Sequence, residues 1–259
     1  MPRRTFQLLL VACLATCMLW AADDPFVGKW KLNPSKSTIT DQMKIEAVGA
    51  NKYALDFGGG GVETVVADGT DQPGNFGTTV SITVEAPDTW KVVRRRDGRT
   101  LLTGIWKLSQ DGKMLSDSFR YSQPDGSTLS LDYVYKRTVG RSGFPGTWES
   151  TSAEVNSVFE IQIQPYGSDG LSLITPAQHE TQNIRFDGKE YPDAGPDVPP
   201  GTVSSGRRVN ERTLEMTDKI KDKVMDTRRI ELSPDLKTLT MTVRPVGQSS
   251  PNVLVFDRE

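Results

Sequence analysis

Histidine and cysteine are nearly missing from this sequence, which holds one histidine, His179, and two cysteines, Cys13 and Cys17, in 259 residues. Both cysteines fall in an apolar run at the N-terminus. The chain beyond that run therefore has no disulfide and no thiol nucleophile, and its stability must come from packing. A soft-metal site needs several converging imidazoles or thiolates, and a lone histidine among short polar residues in "TPAQHET" reads as a surface loop residue rather than a base or ligand. "HET" has no downstream histidine to complete a zincin motif, and nucleophile elbows, P-loops and G-x-G-x-x-G turns after a buried strand are also absent. "DFGGGGVE" is glycine-rich, yet it lacks the lysine and following helix of a phosphate loop and reads as a hairpin tip. Charge of one sign is lacking too: 31 Lys and Arg against 33 Asp and Glu leave a formal charge of -2. No overall positive field is available to attract nucleic acid or an anionic membrane. No transmembrane span is expected after the first 22 residues.

The N-terminus differs in kind from the rest. "MPRR" is a basic start, "TFQLLLVACLATCMLW" an apolar run, and "AAD" supplies small residues before an acidic beginning, the order of a secretory signal. Residues 1–22 are read as a signal peptide cleaved after Ala21 or Ala22, which makes the protein exported, periplasmic or extracellular. "LVAC", Leu10 to Cys13, also resembles the lipobox of bacterial lipoproteins. Cleavage before Cys13 would leave the apolar "LATCMLWAA" where a polar tether belongs, so simple secretion is the preferred reading.

The same opening is spelled twice, "FVGKW" at 26–30 and "FPGTW" at 144–148. Other landmarks follow in the same order: "ADGTDQP" and "FDGKEYP", "LSQDGKML" and "LSPDLKTL", "VYKR" and "VFDR", with offsets drifting only between 118 and 124 residues. Internal similarity at a fixed period marks a repeated domain. The expected organisation is a first unit over 23–138, a linker over 139–143 containing the glycine-rich "VGRSG", and a second unit over 144–259. Within each unit, "TTVSITVE", "MLSDSFRYSQ", "VFEIQIQP" and "TLTMTVRP" alternate apolar and polar residues with period two, separated by D-G turn signals. That spacing predicts an all-β fold of antiparallel meanders. "DQMKIEAVG" is the nearest approach to a helix and fits a strand better, because Ile45 and Ala47 alternate with charged and small residues.

A meander with one apolar face per strand buries it by closing into a barrel, which also removes exposed sheet edges. "GKW" and "GTW" on the opening strands, with arginine ending "VYKR" and "VFDR", resemble the G-x-W and terminal arginine of the lipocalin and wider calycin superfamily. "DPFVGKWKLNPSKS" ahead of a DG-rich meander looks like the uncharacterised lipocalin-like repeats of exported bacterial proteins. The resemblance implies two tandem lipocalin-like barrels. It also implies a barrel-closing contact of the first-strand tryptophan with the last-strand arginine, which within each repeat pairs Trp30 with Arg137 and Trp148 with Arg258. A small apolar or amphipathic ligand would sit in a barrel mouth, against inward residues such as Phe119, Tyr121, Leu131 and Tyr133 in the first copy and Phe159, Ile161, Met241 and Leu254 in the second. Filled barrels serving as a structural or interaction module are the alternative.

The remaining charged motifs favour structure over chemistry. Asp68, Asp71, Asp187 and Glu190 offer only two carboxylates per copy and sit in D-G turns, too few oxygens for calcium. "KVVRRRDGR" reads as a solvated hairpin end that protects a sheet edge, and the second copy does not repeat it. No catalytic residue, metal or cofactor is assigned. The expected role is that of an exported, non-catalytic protein.

Overall fold

A computed structural model describes residues 24–59 and 61–259. The predicted signal peptide, with Cys13, lies outside them. The first repeat supplies β1 (Gly28–Leu32), β2 (Gln42–Gly49), β3 (Lys52–Asp56), β4 (Glu63–Val66), β5 (Gln72–Pro73), β6 (Thr79–Ala86), β7 (Thr89–Arg96), β8 (Arg99–Leu108), β9 (Met114–Ser122) and β10 (Thr128–Val139). The second supplies β11 (Gly146–Val155), β12 (Glu160–Tyr166), β13 (Gly170–Thr175), β14 (Glu180–Arg185), β15 (Glu190–Pro192), β16 (Thr202–Asn210), β17 (Thr213–Ile220), β18 (Lys223–Leu232), β19 (Thr238–Pro245) and β20 (Asn252–Arg258). The segment read as a strand over "DQMKIEAVG" is β2. Among the described residues no helix is long and apolar enough to cross a membrane.

These strands form two nearly closed antiparallel barrels of ten strands each. Closure relies on a few contacts across the gap. In one barrel the Gln72 side chain imitates a neighbouring strand, its Oε1 accepting from the Val66 N–H at 2.8 Å and its Nε2 donating to the Val66 carbonyl at 2.8 Å. In the other, Thr181 and Ala194 exchange backbone hydrogen bonds of 2.8 and 3.0 Å.

The barrels do not coincide with the repeats. One runs β4-β3-β2-β11-β10-β9-β8-β7-β6-β5 and the other β14-β13-β12-β1-β20-β19-β18-β17-β16-β15. Each repeat has given its opening strand to the other's barrel. The barrel holding β2–β11 is termed the first barrel, and the one holding β1 and β12–β20 the second. The pairing inferred within each repeat is thereby corrected: Trp30 lies opposite Arg258, and Trp148 opposite Arg137. The unit expected over 23–138 lacks its own first strand, and that over 144–259 lends β11 away. The reason is local. "FVGKW" and "FPGTW" suit either slot, but β11 follows β10 after residues 140–145 and folds back on it as a hairpin at little loop-closure cost. That slot being filled, β1 is left for β20 and β12.

The barrel-closing contact itself is present in both copies. The guanidinium carbons of Arg258 and Arg137 each lie 4.1 Å from the centroid of the tryptophan they cover. Each guanidinium also ties three backbone carbonyls. Arg258 donates to Leu236, Val27 and Pro25 at 2.7, 2.9 and 2.5 Å, and Arg137 to Gly112, Pro145 and Gly143 at 2.8, 2.7 and 2.5 Å. The two indole N–H groups donate to the carbonyls of Phe26 and Phe144. Glycine two residues before each tryptophan makes room for this clamp. A Cβ on Gly28, whose φ is +149°, would stand 2.8 Å from Arg258 Nη1. Gly28→Ala is therefore expected to cost roughly 1–3 kcal/mol in denaturant unfolding. Gly98→Ala serves as the control: φ is +79° there, but a Cβ meets nothing within 4 Å, so only backbone strain is added. Equal losses for the two would show that the guanidinium moves aside freely.

Each barrel has its own apolar core, and each core contains the exchanged tryptophan. Trp148 packs with Met43, Trp90 and Phe144, and Trp30 with Phe26, Ile161 and Phe256.

Candidate functional site

The inward face of the first barrel encloses a cavity of about 330 Å³ lined by Asp41, Phe57, Arg94, Gly104, Trp106, Asp117, Phe119, Tyr133 and Tyr135, among others. Strand alternation puts these side chains there. Leu115, Asp117 and Phe119 share one face of β9, and the register sets Asp117 opposite both Trp106 of β8 and Tyr133 of β10. Asp41 enters at the start of β2, where its carboxylate accepts from the Tyr135 hydroxyl at 2.7 Å and the Gln248 amide at 3.1 Å. Gln248 sits in the β19–β20 loop of the other barrel and also donates to the carbonyls of Gln42 and Phe57, so that loop borders the mouth of this cavity.

Two charges flank the cavity in different states. At its edge Arg94 holds Glu63 in a two-pronged ion pair of 2.8 and 2.6 Å. Burial works to raise Glu63, but the hydrogen bonds and charge of Arg94, with the Asn75 N–H, leave it below the usual carboxylate range. Asp117 is only 7% exposed, and its Oδ1 has no hydrogen-bond partner among the described residues. Burial pushes it up to about 7; Asp41 and Asp132 add to the rise, while the Trp106 indole and Arg120 oppose it. Burial raises Asp41 as well, against its hydrogen bonds from Tyr135, Gln248 and the Gln42 backbone. Tyr133 and Tyr135 are held above the usual phenol range by the same burial and by the nearby carboxylates.

The matching space in the second barrel is about 240 Å³ and has a different lining. Aligning the barrels by strand register sets Asp41 against Phe159, Asp117 against Met241, Tyr133 against Leu254, and Tyr135 against Phe256. Gly104 is matched by Arg228. The first barrel thus carries polar groups at four positions where the second is apolar, and an open glycine where the second inserts an arginine. Arg228 is fully engaged, paired with Asp218 and Asp226 and donating to Gln182 at 2.9 Å. Although burial opposes its charge, those two carboxylates hold Arg228 above its ordinary value. Gln182 in turn donates to Asp193, Ser204 and Asp218 at 3.1, 3.3 and 3.1 Å. This network fills part of the interior, and Gln182 and Arg228 line the space that remains.

Compared with known protein families and with curated proteins, the sequence matches none. The site must be read from its own residues.

Phe119 and Tyr133 line the first cavity; Phe159, Ile161, Met241 and Leu254 line the second. Tyr121 instead lines a groove of about 440 Å³ between the barrels, where its hydroxyl donates to Asp197 at 2.9 Å. Leu131 is buried opposite Phe119 and Val155. The residues missed are the polar ones: Asp41, Asp117 and Arg94 in the first barrel, Gln182 and Arg228 in the second. For Asp117 and Arg228 a signal existed, since each falls on the inward side of its alternation, beside Leu115 and Phe119 or Ile230 and Leu232.

The turn carboxylates serve their own loops. Asp68 accepts from the Thr70 N–H and hydroxyl, and Asp187 from the Lys189 N–H and Tyr191 hydroxyl. Asp71 pairs with Arg95, and Glu190 with Lys219. The arginine run disperses likewise, Arg94 to Glu63, Arg95 to Asp71 and Arg96 to the Asp197 carbonyl. His179 is exposed after the Pro176–Gln178 turn.

Proposed function

We propose that this is an exported, non-catalytic binding protein of lipocalin-like ancestry in which the first barrel holds one small amphipathic molecule and the second acts as its structural partner. The observation that carries the reading is the asymmetry between the barrels. Register-matched positions that are apolar or filled in the second enclose about 330 Å³ in the first, at the small end of the range for ligand sites. Aromatic walls with a few inward polar groups are the composition of such sites, apolar area providing affinity and polar groups orientation. In the second barrel Arg228 and its partners take up part of the interior and leave a smaller space of about 240 Å³. The ancestry is supported by the glycine-x-tryptophan opening strands and the arginines laid over both indoles. The absence of cysteine after the N-terminal run, together with the exposed position of the single histidine, supports a role without covalent chemistry.

Native mass spectrometry of the mature chain recovered after export tests the reading, together with titration by the neutral fluorophore N-phenyl-1-naphthylamine. A discrete co-purifying mass, or saturable one-to-one fluorophore binding lost in Phe119→Arg, is expected. A bare chain that takes up no fluorophore would overturn it.

A further inference from the structure

We infer that the first barrel's cavity selects an organic cation, a protonated amine carried on an apolar or aromatic body, with Asp117 as its counter-ion. The inference rests on the ligand-binding reading and adds the charge of the ligand to it. Asp117 is the starting point. A carboxylate only 7% exposed normally has every lone pair engaged, because an unpartnered buried polar atom costs on the order of 1–3 kcal/mol or more when charged. The Trp106 indole acts on this carboxyl, yet its Oδ1 makes no well-formed hydrogen bond, and the side chain borders open space. A donor supplied from outside the chain would satisfy it.

The surroundings specify what kind of donor. Phe57, Trp106, Phe119, Tyr133 and Tyr135 surround the space with aromatic rings, whose faces attract cations and repel anions. Asp41 adds a second carboxylate, steadied by the Tyr135 hydroxyl and Gln248, and it acts on Asp117 through its charge. The one cationic group lining the cavity among the described residues, Arg94, is already neutralised by Glu63, so an anionic ligand would have to break that pair to find a partner. A metal ion fits less well: hard cations require several converging oxygens, and among the described residues no group of three or more such ligands assembles. The comparison with the second barrel points the same way. Where a cation is built into the chain there as Arg228, the first barrel has Gly104, and a Cβ at Gly104 would lie 2.9 Å from Asp117 Oδ1. The first barrel has the carboxylate of Asp117 where the second has Met241, and its inward cation, Arg94, stands where the second has Asp218 and is held by Glu63.

A cationic ligand must compete with a proton for Asp117. The groups acting on that carboxyl are the Trp106 indole, Asp41, and the Arg120 and Asp132 charges on the outer face of the same strands, with the neutral phenols of Tyr133 and Tyr135 beside it. With Asp117 at about 7 in the empty cavity, its ionised fraction rises about tenfold between pH 6 and 8. Amine affinity is expected to rise by about the same factor, with release of a proton on binding.

The experiment titrates the mature chain with 2-phenylethylamine, 2-phenylethanol and 3-phenylpropanoate, following intrinsic tryptophan fluorescence and calorimetric heat. The amine is expected to bind at least about tenfold tighter than the alcohol at pH 8 and to tighten about tenfold from pH 6 to 8, while the alcohol shows no pH dependence. Asp117→Asn should erase the amine's advantage and leave alcohol binding unchanged; should that variant fail to fold, the pH series on the unsubstituted chain decides the same question. Equal affinities for amine and alcohol, or preference for the carboxylate, would overturn the cation while leaving the binding reading in place. Failure of all three compounds, and of the neutral fluorophore above, would overturn both.

Discussion

Replacing Trp30 with alanine is expected to destabilise the barrel of residues 160–258 and to spare most of the barrel built by its own repeat. The side chain is fully buried in the core with Phe26, Ile161, Ile163, Leu239 and Phe256, and its ring lies beneath Arg258. Truncating a large buried aromatic side chain typically costs about 3–5 kcal/mol through lost transfer energy and the cavity left behind. Arg258→Ala removes the cation over the ring, about 1–2 kcal/mol in a partly desolvated setting, together with its ties to three carbonyls. The two substitutions should be non-additive, since each removes the shared contact. Hydrogen exchange read peptide by peptide makes the test: protection should fall across 160–258 and persist across 42–155. Loss concentrated in 42–139 would restore the pairing within one repeat.

The second large effect is a pH dependence assigned to one residue. Asp117 titrates near 7 in the folded chain against an ordinary 3.8, so the folded state holds the proton more tightly than the unfolded state does. Its contribution to stability is fully present below 3.8 and is lost as pH rises through about 7. The displacement corresponds to on the order of 4 kcal/mol once the carboxyl is fully ionised, an upper figure because water or a ligand entering the cavity would reduce it. Asp117→Asn, neutral and of the same shape, should therefore be more stable than the unsubstituted chain at pH 8.5 and differ little from it at pH 4.5. Glu180, Asp193 and Asp226 are also raised by burial but occur in both proteins, so they cancel in the comparison, while relief of the charge repulsion between Asp41 and Asp117 adds to the gain of the variant at high pH. Urea unfolding at the two pH values decides it, and parallel curves would show that Asp117 is solvated or paired. A gain in stability on removing that charge would also show that it is not kept for folding.

Much of this architecture is written in short-range pattern. Period-two alternation and D-G turns specify strands locally, and "GKW…VYKR" spelled again as "GTW…VFDR" reveals both the repeat and the arginine-over-indole clamp. Which tryptophan meets which arginine is another matter. The two openings are close to interchangeable, and the outcome depends on the short connection over 140–145 outcompeting a longer closure, which no single stretch encodes. Individual site residues follow the same division. The inward position of Asp117 is readable from Leu115 and Phe119 on either side of it, but its lack of a partner depends on Gly104 across the β8–β9 register. Asp41 precedes its strand and is placed by Tyr135 and Gln248, 94 and 207 residues away in sequence. The first contact exists only once the first barrel has formed, and the second only once both have.

The exchange of opening strands also sets an order of events. A chain emerging from its N-terminus makes β1 early, yet both partners of that strand, β12 and β20, come from the second repeat, and Arg258 reaches back 231 residues to the Val27 carbonyl. The barrel of β2–β11 can finish as soon as residue 155 has appeared, whereas the other cannot close until β20 has been made. Vectorial, one-domain-at-a-time folding is thus available to the middle of the sequence and denied to its ends. The long closure predicts slow completion, in keeping with the general retarding effect of non-local strand pairing. Until then β1 lacks the strand that carries its arginine, in a chain whose two openings differ little, and the hairpin of β10 and β11 already fills the corresponding slot of the finished barrel.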